Sequence, residues 1–129
     1  QEKDAEVRVG IVKALSSIGS PRVREILEEA LNDEDAKVRL WAASALGSMG
    51  SEEAEDTLIK ALSDEDMQVK LTALRALARV GGVKAVRAIE HLRLHPDESV
   101  RKEAERAIKM IALKHNMTVD EILRKARGA

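Results

Sequence analysis

His91 and His95 stand four residues apart in the stretch HLRLH, the spacing at which two imidazoles on one helical face could share a zinc ion. The glutamate of an HExxH motif is missing, and the third histidine, His115, is remote in the sequence. Two ligands fall short of the three or four a zinc site needs, so these histidines read as solvent-facing residues near a helix end. There is no cysteine, which excludes disulfides, thiolate metal sites and Cys nucleophiles. Three histidines near helix ends support no Ser–His–Asp arrangement. The glycines form no phosphate loop: Gly47 to Gly50 ends a helix, and Gly81–Gly82 makes a C-cap and turn. No metal or cofactor is implied. The side chains left to consider are those of a recognition surface, and the elements that carry them are repeated.

The stretch Asp35 to Gly50, DAKVRLWAASALGSMG, recurs at even spacing: DAEVRVGIVKALSSIG starts at Asp4, DMQVKLTALRALARVG at Asp66 and DESVRKEAERAIKMIA at Asp97. A fixed period of this length marks a solenoid, in which each unit buries its apolar face only by stacking on the next. In the first unit Val7, Ile11, Leu15 and Ile18 recur every three or four residues, which predicts an amphipathic helix with that stripe buried. Ser20 and Pro21 then open a second helix with Val23, Ile26, Leu27, Ala30 and Leu31 on its apolar stripe. The acidic turn Asn32 to Asp35 ends it and starts the next, where carboxylates suit the positive end of the helix dipole. Gly50 closes that helix and Ser51 caps another, carrying Ala54, Leu58, Ala61 and Leu62. The third cycle runs through Asp66, Gly81 and a helix with Val86, Ile89 and Leu92, and stops at His95–Pro96, since the residue before proline disfavours helix.

The last cycle departs from the pattern. Its helix from Asp97 has Ala112 where the others have glycine and is expected to run to about His115. Thr118 and Glu121 form a capping box for a short final helix with Ile122 and Leu123 apolar, which reads as a C-terminal cap. The first repeat helix has no partner helix before it. Residues 1–129 therefore read as a single domain of about four repeats plus a capping helix, and as the C-terminal piece of a longer solenoid.

Composition narrows the class further. Hydrophobic residues make up 44% of the chain, enough for a core, but Trp41 is the one aromatic, so that core must be aliphatic. No apolar run approaches a membrane span, and the lack of cysteine fits a cytoplasmic location. Charged residues reach 35% against four Asn and Gln, a balance like that of proteins from heat-loving organisms. The net charge of −1 divides into −8 over residues 1–66 and +7 over residues 67–129, so the C-terminal half could attract an anionic partner.

The alternation of AEDTLIKALSDED with VRLWAASALGSMG closely resembles HEAT repeats, and the Ala-rich VR..A..ALG form is similar to the subgroup named after phycobilisome lyases. The resemblance covers essentially the whole chain. It implies an all-α, right-handed α-solenoid of antiparallel helix pairs, with the VR-bearing helices on the concave face. It also implies a ladder in which a turn Asp bonds an Arg six residues on. The matching pairs are Asp33 with Arg39 and Asp64 with Lys70, whereas Arg101 has His95 in place of the Asp.

At about 100° per residue from Val38, Ala42, Ala45 and Met49 fall within about 40° and must be core, with Leu46 at the edge. Lys37, Leu40, Trp41, Ser44 and Ser48 fall on the opposite side and should face the groove. Their counterparts are Glu6, Val9, Gly10, Lys13 and Ser17; Gln68, Leu71, Thr72, Arg75 and Arg79; and Ser99, Lys102, Glu103, Arg106 and Met110. Val9, Leu40 and Leu71 then make an apolar row beside Trp41, rimmed by Lys13, Arg75, Arg79 and Arg106. Such a patch suits another protein or peptide, since Trp and Arg often anchor interfaces. The basic side chains would favour an acidic or phosphorylated segment.

Other activities found in HEAT-like proteins fit less well. Iron-binding hydroxylases use His-Glu pairs, and VRVG, VRLW, VKLT and VRKE contain none. No bilin-handling residue can be assigned, so lyase activity rests on the subgroup's name alone. Duplex DNA is the better competitor, through Arg75, Arg79, Lys102 and Arg106, but the acidic first half and the lack of aromatics for stacking oppose it. The uncapped N-terminal helix could also pair with a second copy.

Overall fold

The computed structural model describes residues 2–128, and side chains from residue 4. Eight α-helices follow one another: α1 (Glu2–Leu15), α2 (Pro21–Ala30), α3 (Ala36–Met49), α4 (Glu55–Ala61), α5 (Met67–Val80), α6 (Val83–Glu90), α7 (Glu98–Lys114) and α8 (Val119–Ala126). Short 3-10 turns, Glu52–Ala54 and His91–Leu94, lead into α4 and extend α6. No strand occurs among the described residues.

The acidic turns start the helices as their chemistry requires. Asp35 accepts the backbone N–H of Lys37 at 2.8 Å, and Asp97 accepts that of Ser99 at 2.7 Å, each satisfying an otherwise orphaned helix donor. Ser20 does the same for Val23, with Pro21 in the first turn. Thr118 and Glu121 form both halves of their capping box. Gly50 ends α3 with a left-handed φ of 68°, a conformation glycine adopts at no steric cost. Ser51 makes no capping bond, contrary to the sequence reading; the chain enters α4 through the 3-10 turn instead. At Gly82, which has no side chain to cap α6, Glu55 of α4 reaches across and accepts the N–H groups of Gly82 and Ala85 at 2.8 and 3.1 Å.

The helices form two layers. In the inner layer α1, α3, α5 and α7 pack successively side by side. In the outer layer each helix packs on the inner helix that follows it: α2 on α3, α4 on α5, α6 on α7. The final helix, α8, lies against α6 and α7. Between the layers runs an aliphatic core in which Leu27, Leu46, Leu58, Leu74, Leu77, Ile89, Ile108 and Ile111 are fully buried, and no polar side chain is buried among the described residues.

The first helix departs from expectation. Val7, Ile11 and Ile18 are 61, 52 and 50% exposed, although Val38 and Ala42, which match Val7 and Ile11 in the next repeat, are buried. The difference lies in the neighbours. In α3 that stripe meets α2, the preceding outer helix, whereas no outer helix precedes α1 among the described residues. The helix is held instead by Ala5 and Val12, which face the core. Ile26 of α2 is likewise on the surface.

Candidate protein-binding groove and the ladder beneath it

The ladder is built, but in a different register from the one the resemblance implies. Its side-chain rungs join successive repeats. Arg8 donates through Nε and Nη2 to both carboxylate oxygens of Asp33, at 2.7 and 3.0 Å. Arg39 grips Asp64 in the same way, at 2.8 and 3.2 Å. The pair Asp33–Arg39 is joined through the backbone: Arg39 Nη1 donates to the carbonyl oxygens of Asp33 and Glu34. Each Asp also accepts the N–H two residues ahead, which fixes the turn that starts the next inner helix. Bidentate, charge-assisted bonds of this kind are among the stronger ones available to a surface-proximal pair. The Arg8 guanidinium holds the Asp33 carboxyl below the usual carboxylate range, against the opposing effect of burial.

The third rung changes both partners. Lys70 does not meet Asp64; its Nζ lies 3.4 Å from Nε2 of His95. Nδ1 of His95 takes over the Asp's other duty, accepting the N–H of Asp97 at 2.9 Å. A neutral imidazole that accepts at Nδ1 carries its proton on Nε2, so this rung sets a donor against the donor of Lys70. His95 is thus a half-buried structural residue and not the solvent-facing one the sequence suggested. His91 is exposed, and no cluster of metal-ligating side chains occurs among the described residues.

The inner-layer surface away from the outer helices carries a chain of hollows. One of about 650 Å³ lies between α1 and α3, lined among others by Glu6, Val9, Lys13 and Lys37. The next, of about 300 Å³, lies between α3 and α5 and is walled by Leu40, Trp41, Thr72, Arg75 and Arg79 over a floor of Ser44, Gly47 and Ser48. Trp41 also borders a third, of about 160 Å³, with Lys13, Ser16 and Ser48. The indole is 37% exposed, and the Lys13 ammonium sits 4.1 Å from its ring centroid, a cation–π contact between α1 and α3.

Of the expected groove residues, Lys13, Lys37, Trp41, Arg75, Arg79, Lys102, Arg106 and Met110 are exposed, and Val9, Leu40, Ser44 and Thr72 are half-buried. Leu71 is not among them. It is 6% exposed and belongs to the core, so the apolar row stops at Leu40 and Trp41. The position lies at about 200° from the core valine, close to the seam where α5 meets the next inner helix, and there the neighbour covers it.

The cations are less free than the sequence suggests. Glu103 lies 3.4 Å from Arg75 and 3.8 Å from Arg106, and Lys102 pairs with Glu98 at 3.4 Å. Arg79 has no ion pair among the described residues. A row of guanidiniums threaded with carboxylates presents a weaker field to a phosphate backbone than bare charge would. Arg8 is the functional ladder residue that sequence reasoning passed over, although it stands one repeat before Arg39 in the same VR motif.

Paired helices in two layers, repeated at a fixed period and tied by a side-chain ladder, define an α-solenoid. A family model for HEAT repeats matches residues 1–45 and 25–109. The chain belongs to the HEAT-repeat family. Its fold is similar to two engineered proteins whose crystal structures come from the Northeast Structural Genomics Consortium. One is 28% identical with a TM-score of 0.65, over 96% of this chain and 59% of that one. The other is 29% identical with a TM-score of 0.58, over 78% of this chain and 30% of that one. The chain thus spans less than two thirds of either solved protein. No curated protein matches it.

Proposed function

We propose that this chain is a non-catalytic scaffold that binds another protein or peptide along the concave, inner-layer side of the solenoid. HEAT repeats as a class serve protein interaction, and among the described residues no helix is long and apolar enough to cross a membrane. The observation that carries the reading is Trp41, whose accessible indole stands between two adjoining hollows with Leu40 beside it. An aromatic anchor next to a pocket floored by small residues is the local form of an interface hot spot. Arg79 and Arg75 at the rim then favour an acidic or phosphorylated partner. Replacing Leu40 and Trp41 together by Ala should abolish partner binding with helical content kept, and unchanged affinity would overturn the reading. Displacement of the partner by duplex DNA at physiological salt would instead favour nucleic acid.

The exposed face of Val7 and Ile11 supports a second interaction, self-association through α1. With Ala14 these residues recur at spacings of four and three along one face of α1, which can pair with itself across a two-fold axis. Sedimentation over a hundredfold concentration range tests it. A dimer lost in Ile11→Lys supports the pairing, and a monomer throughout refutes it.

A further inference from the structure

Arg101 occupies, two repeats on, the position of Arg39, and it reproduces half of that residue's bonding. Arg39 rests Nη1 on the carbonyl oxygens of Asp33 and Glu34, which leaves Nε and Nη2 as a fork for Asp64 of the next repeat. Arg101 rests Nη1 on the carbonyl oxygens of His95 and Pro96 at 2.8 and 3.0 Å. For the fork itself no acceptor exists among the described residues. It borders a hollow of about 560 Å³ together with Arg93, Lys102, Glu105, Arg106 and Lys109.

The same end of the inner layer is unsuited to a further inner helix of the preceding kind. Where α3 presents buried Ala43 and Gly47 to α5, and α5 presents buried Leu74 and Ala78 to α7, the matching positions of α7 are Glu105 and Lys109. Glu105 is bonded to Arg93 at 2.8 Å, so the surplus charge in the hollow is positive. An apolar face would have to desolvate these groups, whereas a carboxylate meets them as counter-charge.

We propose that this hollow, which shares Lys102 and Arg106 with the groove face but is distinct from the hollows at Trp41, is a second recognition surface, and that it takes an aspartate-bearing acidic turn of another protein whose carboxylate completes the fourth rung. Arg39, held on two carbonyls as Arg101 is, takes an Asp side chain from a helix-starting turn with its fork, and Arg8 at the same position of the first repeat takes one too. A guanidinium already fixed by two carbonyls loses little freedom on closing such a pair. That precedent, and Glu105 standing in the hollow, favour a protein carboxylate over a nucleic-acid backbone.

The test uses the full chain and a blocked synthetic peptide with the sequence of its own acidic turn, LNDEDAK. The Nε–Hε resonance of Arg101 should shift saturably on titration. Arg101→Lys, which keeps the charge but not the fork, should weaken binding about tenfold with helical content unchanged, and an Asn at the peptide's first Asp should do the same. Leu40→Ala with Trp41→Ala should bind the peptide as well as the parent does. An unmoved Arg101 signal, equal affinity in Arg101→Lys, loss in the Leu40–Trp41 variant, or equally tight binding of a thymidine oligonucleotide of the same charge would each overturn the proposal.

Discussion

A Cβ built on Gly47 of α3 would lie 2.8 Å from the Cβ of Ala76 in α5 and 2.9 Å from its Cα, so the two inner helices touch there almost backbone to backbone. Gly47→Ala should therefore destabilise the domain. The helix-propensity gain of about 1 kcal/mol is outweighed by overpacking that typically costs about 1–3 kcal/mol. At Gly10, inside α1, an added Cβ meets nothing within 4 Å, and Gly10→Ala should stabilise by roughly 0.5–1 kcal/mol. Urea midpoints of the two variants should move in opposite directions.

The Arg39–Asp64 rung is shielded, with side chains 13 and 11% exposed. Removing one partner leaves the other's charge half-buried, so Arg39→Gln should cost about 2 kcal/mol, above the range of an open surface pair. A double-mutant cycle with Asp64→Asn should return a coupling energy of about 1 kcal/mol or more.

The mismatched third rung offers a gain. Changing Lys70 to Arg and His95 to Asp together would install the pair that the first two rungs use. The expected stabilisation is roughly 1–2 kcal/mol, read as a rise in thermal midpoint relative to either single variant.

Acid should weaken the fold through two carboxylates. Asp33 is held below its ordinary range mainly by the hydrogen bond from Arg8, and Glu90 mainly by that from Arg127. A group whose folded pKa is depressed contributes stability in full above its unfolded value, about 4 here, and that contribution is lost as pH falls through the folded value. Stability should decline from about pH 4 downward, and Asp33→Asn should flatten the decline while lowering stability at pH 7.

The layered fold was legible because α3, α5, α7 and α8 announce their own starts, through Asp35, Asp66, Asp97 and Thr118, and because Val38, Ala42, Ala45 and Leu46 repeat at helical spacing. What a single helical wheel could not supply was the number of neighbours. An inner helix of this stack packs against an outer helix and against one inner helix on each side, so its buried arc extends far beyond the valine face. Ala43, Gly47 and Leu71 are buried for that reason. Val7 and Ile11 are exposed for the converse reason, since no outer helix covers their face among the described residues. The ladder's register escaped because the Asp that each Arg reaches in the following repeat is set by the rise from one repeat to the next, which no local motif encodes. Trp41 is accessible, and Lys13 over its ring follows from α1 and α3 being neighbours.

The sparse attachment of α1 has a consequence for how the molecule comes apart. That helix packs along α3 and only lightly on α2, whereas α5 is flanked on both sides and covered from behind. In a stack where each unit holds only its neighbours, opening proceeds from the edge and moves inward. Amide protons of α1 should exchange first under mild denaturant, with the Arg8–Asp33 rung released in the same step, while those of α5 survive until the whole array dissolves. The domain would then melt as a zipper with one frayed end.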